Sequence, residues 1–402
     1  MKPHAVPFTP GDRVGLMGRL RRLAAVALGL LAGLVGAELL LGACARQVRV
    51  TSELEWIADP DVGFRLAPDR FVAGREGGAI HALGLRGPAI DASAPGEHRV
   101  LVLGDSFVFG AGVATAEALP AVLEDLAQGP RFVNGGTPSY GTERQARWLL
   151  KFGDRIAPDR LLLAVFVGND FTDNLELEGP AVFAGKLVER SAAGAPDWQL
   201  RLRLMRSRSQ LWRLWERLDR SAPAVALEGA RDVPAGGDDP AARAAFERWR
   251  STEEETFARR QGERLLVYVP EARQPDHIRI AYEAMDMCLD RVQEWCAARG
   301  VALGVAILPD VVQVEDHQRA LTCKLAGVPL EYPDWDRPQR AIRAWCERRG
   351  VPCVDLLPAF RAEGAAGGEA SLYLLADSHF NARGHRTAAE VLWRELRAWI
   401  GP

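Results

Sequence analysis

From residue 98 onward the chain alternates short apolar runs with stretches of helical periodicity, and that alternation restricts the fold more than any other feature. His98-Arg-Val-Leu-Val-Leu103 and Arg160-Leu-Leu-Leu-Ala-Val-Phe-Val167 are apolar at consecutive positions, so both faces of each run must be covered. Similar runs stand at Arg131-Phe-Val-Asn134, Leu265-Leu-Val-Tyr-Val269, Val301–Leu308 and Val351-Pro-Cys-Val-Asp355. Helical stretches lie near 117–128, 142–153, 277–299, 336–349 and 381–399. Strands alternating with helices of this length predict a three-layer α/β/α domain over 98–400, with a parallel sheet at its centre. The alternation stops after 172, which predicts a helical insertion at about 175–262. Within it, the Trp- and Arg-rich stretch 198–220 reads as amphipathic helices, either packed on the domain or resting on anionic headgroups. Residues 46–97, rich in Pro, Gly and Asp, read as a juxtamembrane spacer with a short hairpin.

Several functions are excluded by composition. The 50 basic and 53 acidic residues leave no basic field to attract nucleic acid. The 6 cysteines contain no C-x-x-C pair, which argues against a zinc ribbon or a thioredoxin-like site. Cys288, Cys296, Cys323, Cys346 and Cys353 read as buried small hydrophobes. His4, His81, His98, His277 and His317 are dispersed, so no metal is expected, and no glycine loop suggests a phosphate-bearing cofactor.

Residues 23–45 carry a single charge, Glu38. As a helix this run reaches roughly 34 Å, enough to cross a bilayer core of about 30 Å. Lys2, Arg13, Arg19, Arg21 and Arg22 precede it, and only Arg46 and Arg49 follow closely. The asymmetry predicts a signal anchor with residues 1–22 in the cytoplasm and the bulk exported. For a bacterium that means a single pass in the inner membrane, with the domain in the periplasm or outside the cell. Cleavage near Ala43 and Ala45, or lipidation of Cys44, are the rival readings.

Four strand ends bring chemistry to one edge. In an open parallel sheet the carboxyl ends of all strands share a rim, and ligands bind there. The candidates are Gly104-Asp105-Ser106, Asn134-Gly135-Gly136, Gly168-Asn169-Asp170, and Asp377-Ser378-His379 ahead of the last helix. A serine hydroxyl needs a base within hydrogen-bond reach, which His379 can supply, and Asp377 can orient the imidazole. A carbonyl under attack gains negative charge and calls for fixed donors. The Ser106 and Gly136 N–H groups and the Asn169 amide are the candidates for this oxyanion hole. Asp105 and Asp170 read as loop stabilisers through side-chain-to-backbone bonds.

These blocks resemble the SGNH (GDSL-type) hydrolases. Gly104-Asp105-Ser106 matches the nucleophile block, Asn134-x-Gly136 the second, Asn169-Asp170 the third, and His379-Phe-Asn-x-x-Gly384-His385 the last. The resemblance implies Ser106 as nucleophile, Asp377 and His379 as its partners, and Ser106, Gly136 and Asn169 as the oxyanion hole. Gly84-Leu-Arg-Gly87 also resembles membrane-anchored bacterial members. The chain departs from the common pattern in having Gly168 directly before Asn169. It departs again in having Asp377 two residues, not three, before His379. That shorter spacing is similar to SGNH-like polysaccharide O-acetyltransferases. The activity implied is that of a serine esterase or deacetylase acting on an acyl ester of an envelope glycan or lipid. The alternatives are O-acyl transfer with the same residues and a catalytically inactive glycan-binding protein.

Overall fold

The computed structural model describes residues 54–401 apart from 69, 72–77, 89, 91–96, 176–179, 184–185, 189–239 and 366, together with 25, 26, 28, 29 and 32–37. The chain divides into two units, Met1–Thr51 with Ala195–Glu228, and Ser52–Gly194 with Gly229–Pro402. In the first, the described residues between 25 and 37 are helical. Among the described residues no helix is long and apolar enough to cross a membrane. Much of the expected anchor at 23–45, Cys44 and the Trp/Arg-rich stretch lie outside the described residues.

The second unit opens with two small antiparallel pairs, β1 (Trp56–Asp59) with β2 (Gly63–Leu66) and β3 (Arg70–Phe71) with β4 (Ala79–Ile80). Then come β5 (Arg99–Gly104), α1 (Ser106–Phe109), α2 (Leu119–Ala127), β6 (Arg131–Gly136), α3 (Thr142–Ile156), β7 (Arg160–Phe166) and α4 (Asp170–Asp173). A third pair, β8 (Ala181–Phe183) with β9 (Lys186–Val188), precedes the long helices α5 (Pro240–Gln261) and α6 (Asp276–Arg299). The chain finishes with β10 (Ala302–Leu308), α7 (Val311–Val314), α8 (Asp316–Ala326), α9 (Arg337–Arg349), β11 (Cys353–Asp355), α10 (Leu357–Gly364) and α11 (Ala382–Ile400).

Five strands form one parallel sheet in the order β11-β10-β7-β5-β6. Counted along the chain this is the doubly wound order 2-1-3-4-5, whose switch point falls between β5 and β7. Side chains alternate between faces with the period of two that a strand imposes. Leu101, Leu103, Leu161, Leu163, Val165 and Val305 pack with α3, α6 and α9. Val100, Val102, Leu162, Ala164, Phe166 and Ala306 pack with α2, α10 and α11 on the other side. The expected three layers are therefore present.

Two expectations change. Leu265-Leu-Val-Tyr-Val269 is no strand; Gly262–Tyr268 winds as a 3₁₀ helix. Its Leu265 and Tyr268 join the core on one face of the sheet and Val267 the core on the other, so this run serves both sides instead of pairing at an edge. Its polar backbone finds partners elsewhere, with Asp334 N–H donating to Tyr268 O at 2.7 Å and Arg337 to Val269 O. The short apolar run could not distinguish these outcomes, because period alone does not separate a buried strand from a buried helical turn. The second change concerns 46–97. The hairpin exists, yet Trp56, Val62, Phe64, Leu66, Ile80 and Leu85 are buried in the same core as α3 and α6. At least this part of the segment is packed into the domain and is not a spacer.

The reason for that packing is visible at Arg86, 1% exposed. Its guanidinium donates to the carbonyls of Phe109 at 2.9 Å, Gly110 at 2.8 Å and Val113 at 3.0 Å. A four-residue helix leaves its terminal carbonyls without partners, and a cation there satisfies them and complements the helix dipole. Gly110 closes the turn at φ 81°. Arg86→Met should therefore cost about 3 kcal/mol of stability, the order expected when buried carbonyls lose a charged donor. The midpoint of urea unfolding checks this, and a change under about 0.5 kcal/mol, the scale of an ordinary surface substitution, would count against it.

Candidate active site

Ser106 stands where β5 turns into α1. Asp105 caps that helix, its Oδ1 accepting the Phe107 N–H at 2.9 Å. Ser106 is thus the first helical residue, and its own N–H has no acceptor among the described residues. Burial pushes the Asp105 carboxyl up to about 6, against the Phe107 N–H and the charge of His379. Next to it in the site, Asp170 accepts from Phe166 N–H at 3.1 Å and Thr142 Oγ1 at 3.2 Å. Burial, followed by the charge of Asp105, raises its pKa well above the usual range. Both aspartates therefore build loops, as expected.

His379 arrives on a tight loop. Tyr373 bridges to Phe380, Leu374 N–H donates to His379 O at 2.9 Å, and Asp377 N–H donates to Leu374 O at 3.2 Å. Ala376 takes φ 50° to make the turn. Asn381 then caps α11, accepting the Gly384 N–H at 2.9 Å and donating to Ser371 O at 2.9 Å and Tyr373 O at 3.0 Å. Gly384 is needed because a Cβ there would lie 2.1 Å from Leu372 O. His385 is buried beside Phe380.

The loop delivers the imidazole to the serine. His379 Nε2 lies 2.7 Å from Ser106 Oγ, and Nδ1 lies 2.6 Å from Asp377 Oδ1. The same Asp377 oxygen also accepts the His379 backbone N–H at 3.0 Å, which is how a two-residue spacing suffices. Burial alone lowers the His379 pKa, but the Asp377 charge and hydrogen bond outweigh it and leave the imidazole above its ordinary value of 6.5. With Nδ1 donating to the carboxylate, Nε2 is left as the acceptor for the serine proton.

The fold and triad follow the SGNH pattern. No family model matches this sequence, and no curated protein matches it. Solved structures that align with the chain include a lipase/acylhydrolase from Enterococcus faecalis (11% identity, 76% of this chain and 98% of that one, TM-score 0.35). Others are a member of the lipolytic G-D-S-L family from Veillonella parvula (10%, 74% and 97%, TM-score 0.35) and the psychrotrophic esterase EstA from Pseudoalteromonas sp. (10%, 76% and 99%, TM-score 0.33).

The oxyanion donors need correction. Gly136 gives its N–H to Asn134 Oδ1 at 3.0 Å. It is a glycine for packing, since a Cβ there would lie 2.0 Å from Phe109 N. Asn169 caps the first turn of α4, and its Nδ2 donates to Asp173 Oδ2 at 2.6 Å. Asp173 fixes which way the amide faces, because the alternative orientation would set two oxygens against each other. One amide hydrogen is thereby spoken for, and the second remains. Gly141 stands directly ahead of α3, and its N–H has no acceptor among the described residues, as is usual at a helix start. A Cβ on it would lie 2.8 Å from Asp173 Cβ, so it adjoins the helix that carries Asn169. Arg264, which nothing in the sequence singles out, donates through Nη1 to Ser378 Oγ at 3.3 Å, between Asp377 and His379. Among the described residues no group of three His, Cys, Asp or Glu could hold a metal ion. Cys288, Cys296, Cys323, Cys346 and Cys353 are free thiols, four of them buried.

Three outcomes follow for this geometry. Turnover requires neutral His379, so kcat/KM should rise with pH through a value above 6.5. Asp377→Asn removes the charge that favours the imidazolium, so the rising limb should move to lower pH while the rate falls by up to about 10⁴-fold. A limb that stays in place would dissociate Asp377 from the imidazole. Ala376→Pro, which forces φ to about −65°, should abolish turnover, whereas Ala376→Gly should keep it. Equal activity of the two variants would remove the turn from the account.

Proposed function

We propose that the protein is a serine ester hydrolase of SGNH type. The observation that carries this reading is the relay of Ser106 Oγ to His379 Nε2 at 2.7 Å and His379 Nδ1 to Asp377 Oδ1 at 2.6 Å. Ser106 Oγ adds to the ester carbonyl while its proton passes to His379 Nε2. The carbon–oxygen bond to the alcohol breaks, and the alcohol leaves with that proton. Water then adds to the acyl-enzyme and gives a proton to His379; the bond between the carbonyl carbon and Ser106 Oγ breaks, His379 returns the proton to that oxygen, and the acid leaves. The Ser106 N–H and the remaining Asn169 N–H are the donors assigned to the oxyanion.

The substrate class we assign is an acyl ester of an envelope glycan or lipid, with the domain exported and anchored by residues 23–45. The apolar run and its flanking arginines support this placement. A second reading, transfer of the acyl group to a sugar hydroxyl, is favoured by the Asp-x-His spacing, which the loop accommodates. An inactive glycan-binding protein has no use for an intact relay.

The test is release of p-nitrophenol and acetate from p-nitrophenyl acetate by the full chain in detergent, with and without a glycan acceptor. Acetate in water is expected, and acetylated glycan at its expense would favour transfer. Ser106→Ala should lower kcat/KM at least about 10³-fold. Turnover unaffected by that substitution would remove both enzymatic readings.

A further inference from the structure

Arg264 belongs to the 3₁₀ segment Gly262–Tyr268 that follows the inserted stretch and α5. It is partly exposed. Its hydrogen bond among the described residues goes to Ser378 Oγ at 3.3 Å, with no described carboxylate paired to it. Its Cζ stands 6.0 Å from the Phe166 ring centroid, at the outer limit of a cation–π contact. A guanidinium offers five N–H donors in a planar fork suited to carboxylate or phosphate, and one long bond uses little of it. Arginines held for structural reasons in this protein look different: Arg86 spends its donors on three carbonyls.

Position narrows the role. Ser378 separates Asp377 from His379, so Arg264 reaches the imidazole side of the nucleophile. The positive charge is felt by His379, Asp105 and Asp310. In ester cleavage His379 protonates the departing oxygen, so the alcohol portion leaves past the imidazole, while the oxyanion faces the Ser106 and Asn169 donors.

We infer that Arg264 is a specificity residue that binds an anionic group, carboxylate or phosphate, on the alcohol portion of the ester. The inference rests on the hydrolase reading and names the substrate class of that same site. An arginine there would select esters of acidic sugars or of phosphate-bearing alcohols over neutral ones, because a neutral alcohol leaves the fork unpaired.

The test compares 4-acetoxybenzoate and 4-acetoxyphenyl phosphate with the neutral methyl 4-acetoxybenzoate, using the full chain in detergent. Mono-4-nitrophenyl succinate carries the charge on the acyl side instead. Arg264→Gln should lower the ratio of kcat/KM for the anionic acetates over the neutral one at least tenfold, mainly through KM. Arg264→Lys should recover part of that ratio, and the larger of the two losses tells carboxylate from phosphate. A ratio unchanged within twofold, with all substrates falling together, would reduce Arg264 to a support of the His379 loop and overturn the inference. So would a loss confined to the succinate, which would place the anion on the acyl side. Wild-type protein inert toward every ester would instead sink the hydrolase reading itself.

Discussion

All five central strands run in the same direction, and the site depends on that constraint. Parallel strands end together, so residues from Ser106 to Asp170 reach one rim although more than sixty positions separate them. The rim becomes a cleft where the strand order reverses, between β5 and β7. Ser106 follows the first of these strands and Asn169 the second. The triad's other half comes from the far end of the chain, on a loop anchored by Asn381 and by the packing of Phe380 against Phe107 and Phe360.

Burial gives this rim its chemistry. Asp105 and Asp170 sit fully inside it, where desolvation favours their neutral forms. Asp377 is the acid that keeps enough hydrogen bonding, from both the backbone and the ring of His379, to act as a charged partner. Three aspartates within one site thus do different work according to what surrounds them. The short helix that begins at Ser106, too small to be stable alone, is held by a capping aspartate at one end and a buried arginine at the other.

Much of the fold was readable from the sequence because buried parallel strands and amphipathic helices carry their own period. The boundaries of α3, α6, α9 and α11 fall within a few residues of their expected places. The 265–269 run failed for a physical reason: five apolar residues satisfy a strand or a tight helical turn equally, and only the surrounding core chooses. The 54–85 region misled because its Gly, Pro and Asp signal turns, while the few apolar residues between them are enough to fill one side of the core. Within the site, the meeting of Ser106, His379 and Asp377 in one hydrogen-bonded chain was legible because their residue types and their places beside strand ends and the last helix are local features. Gly136 was not, since a glycine that exposes its N–H and a glycine that admits a neighbouring backbone look identical in a sequence.

What this chain's sequence determined by itself was the layered architecture and the identity of its reactive groups, because period, residue chemistry and strand-end position are local properties. Tertiary structure alone decided which donors are free, which glycines serve packing, that Arg86 holds the short helix beginning at Ser106, and that Arg264 reaches Ser378 between Asp377 and His379. Those assignments depend on who occupies the space next to each group, and neighbours hundreds of residues away have no local signature.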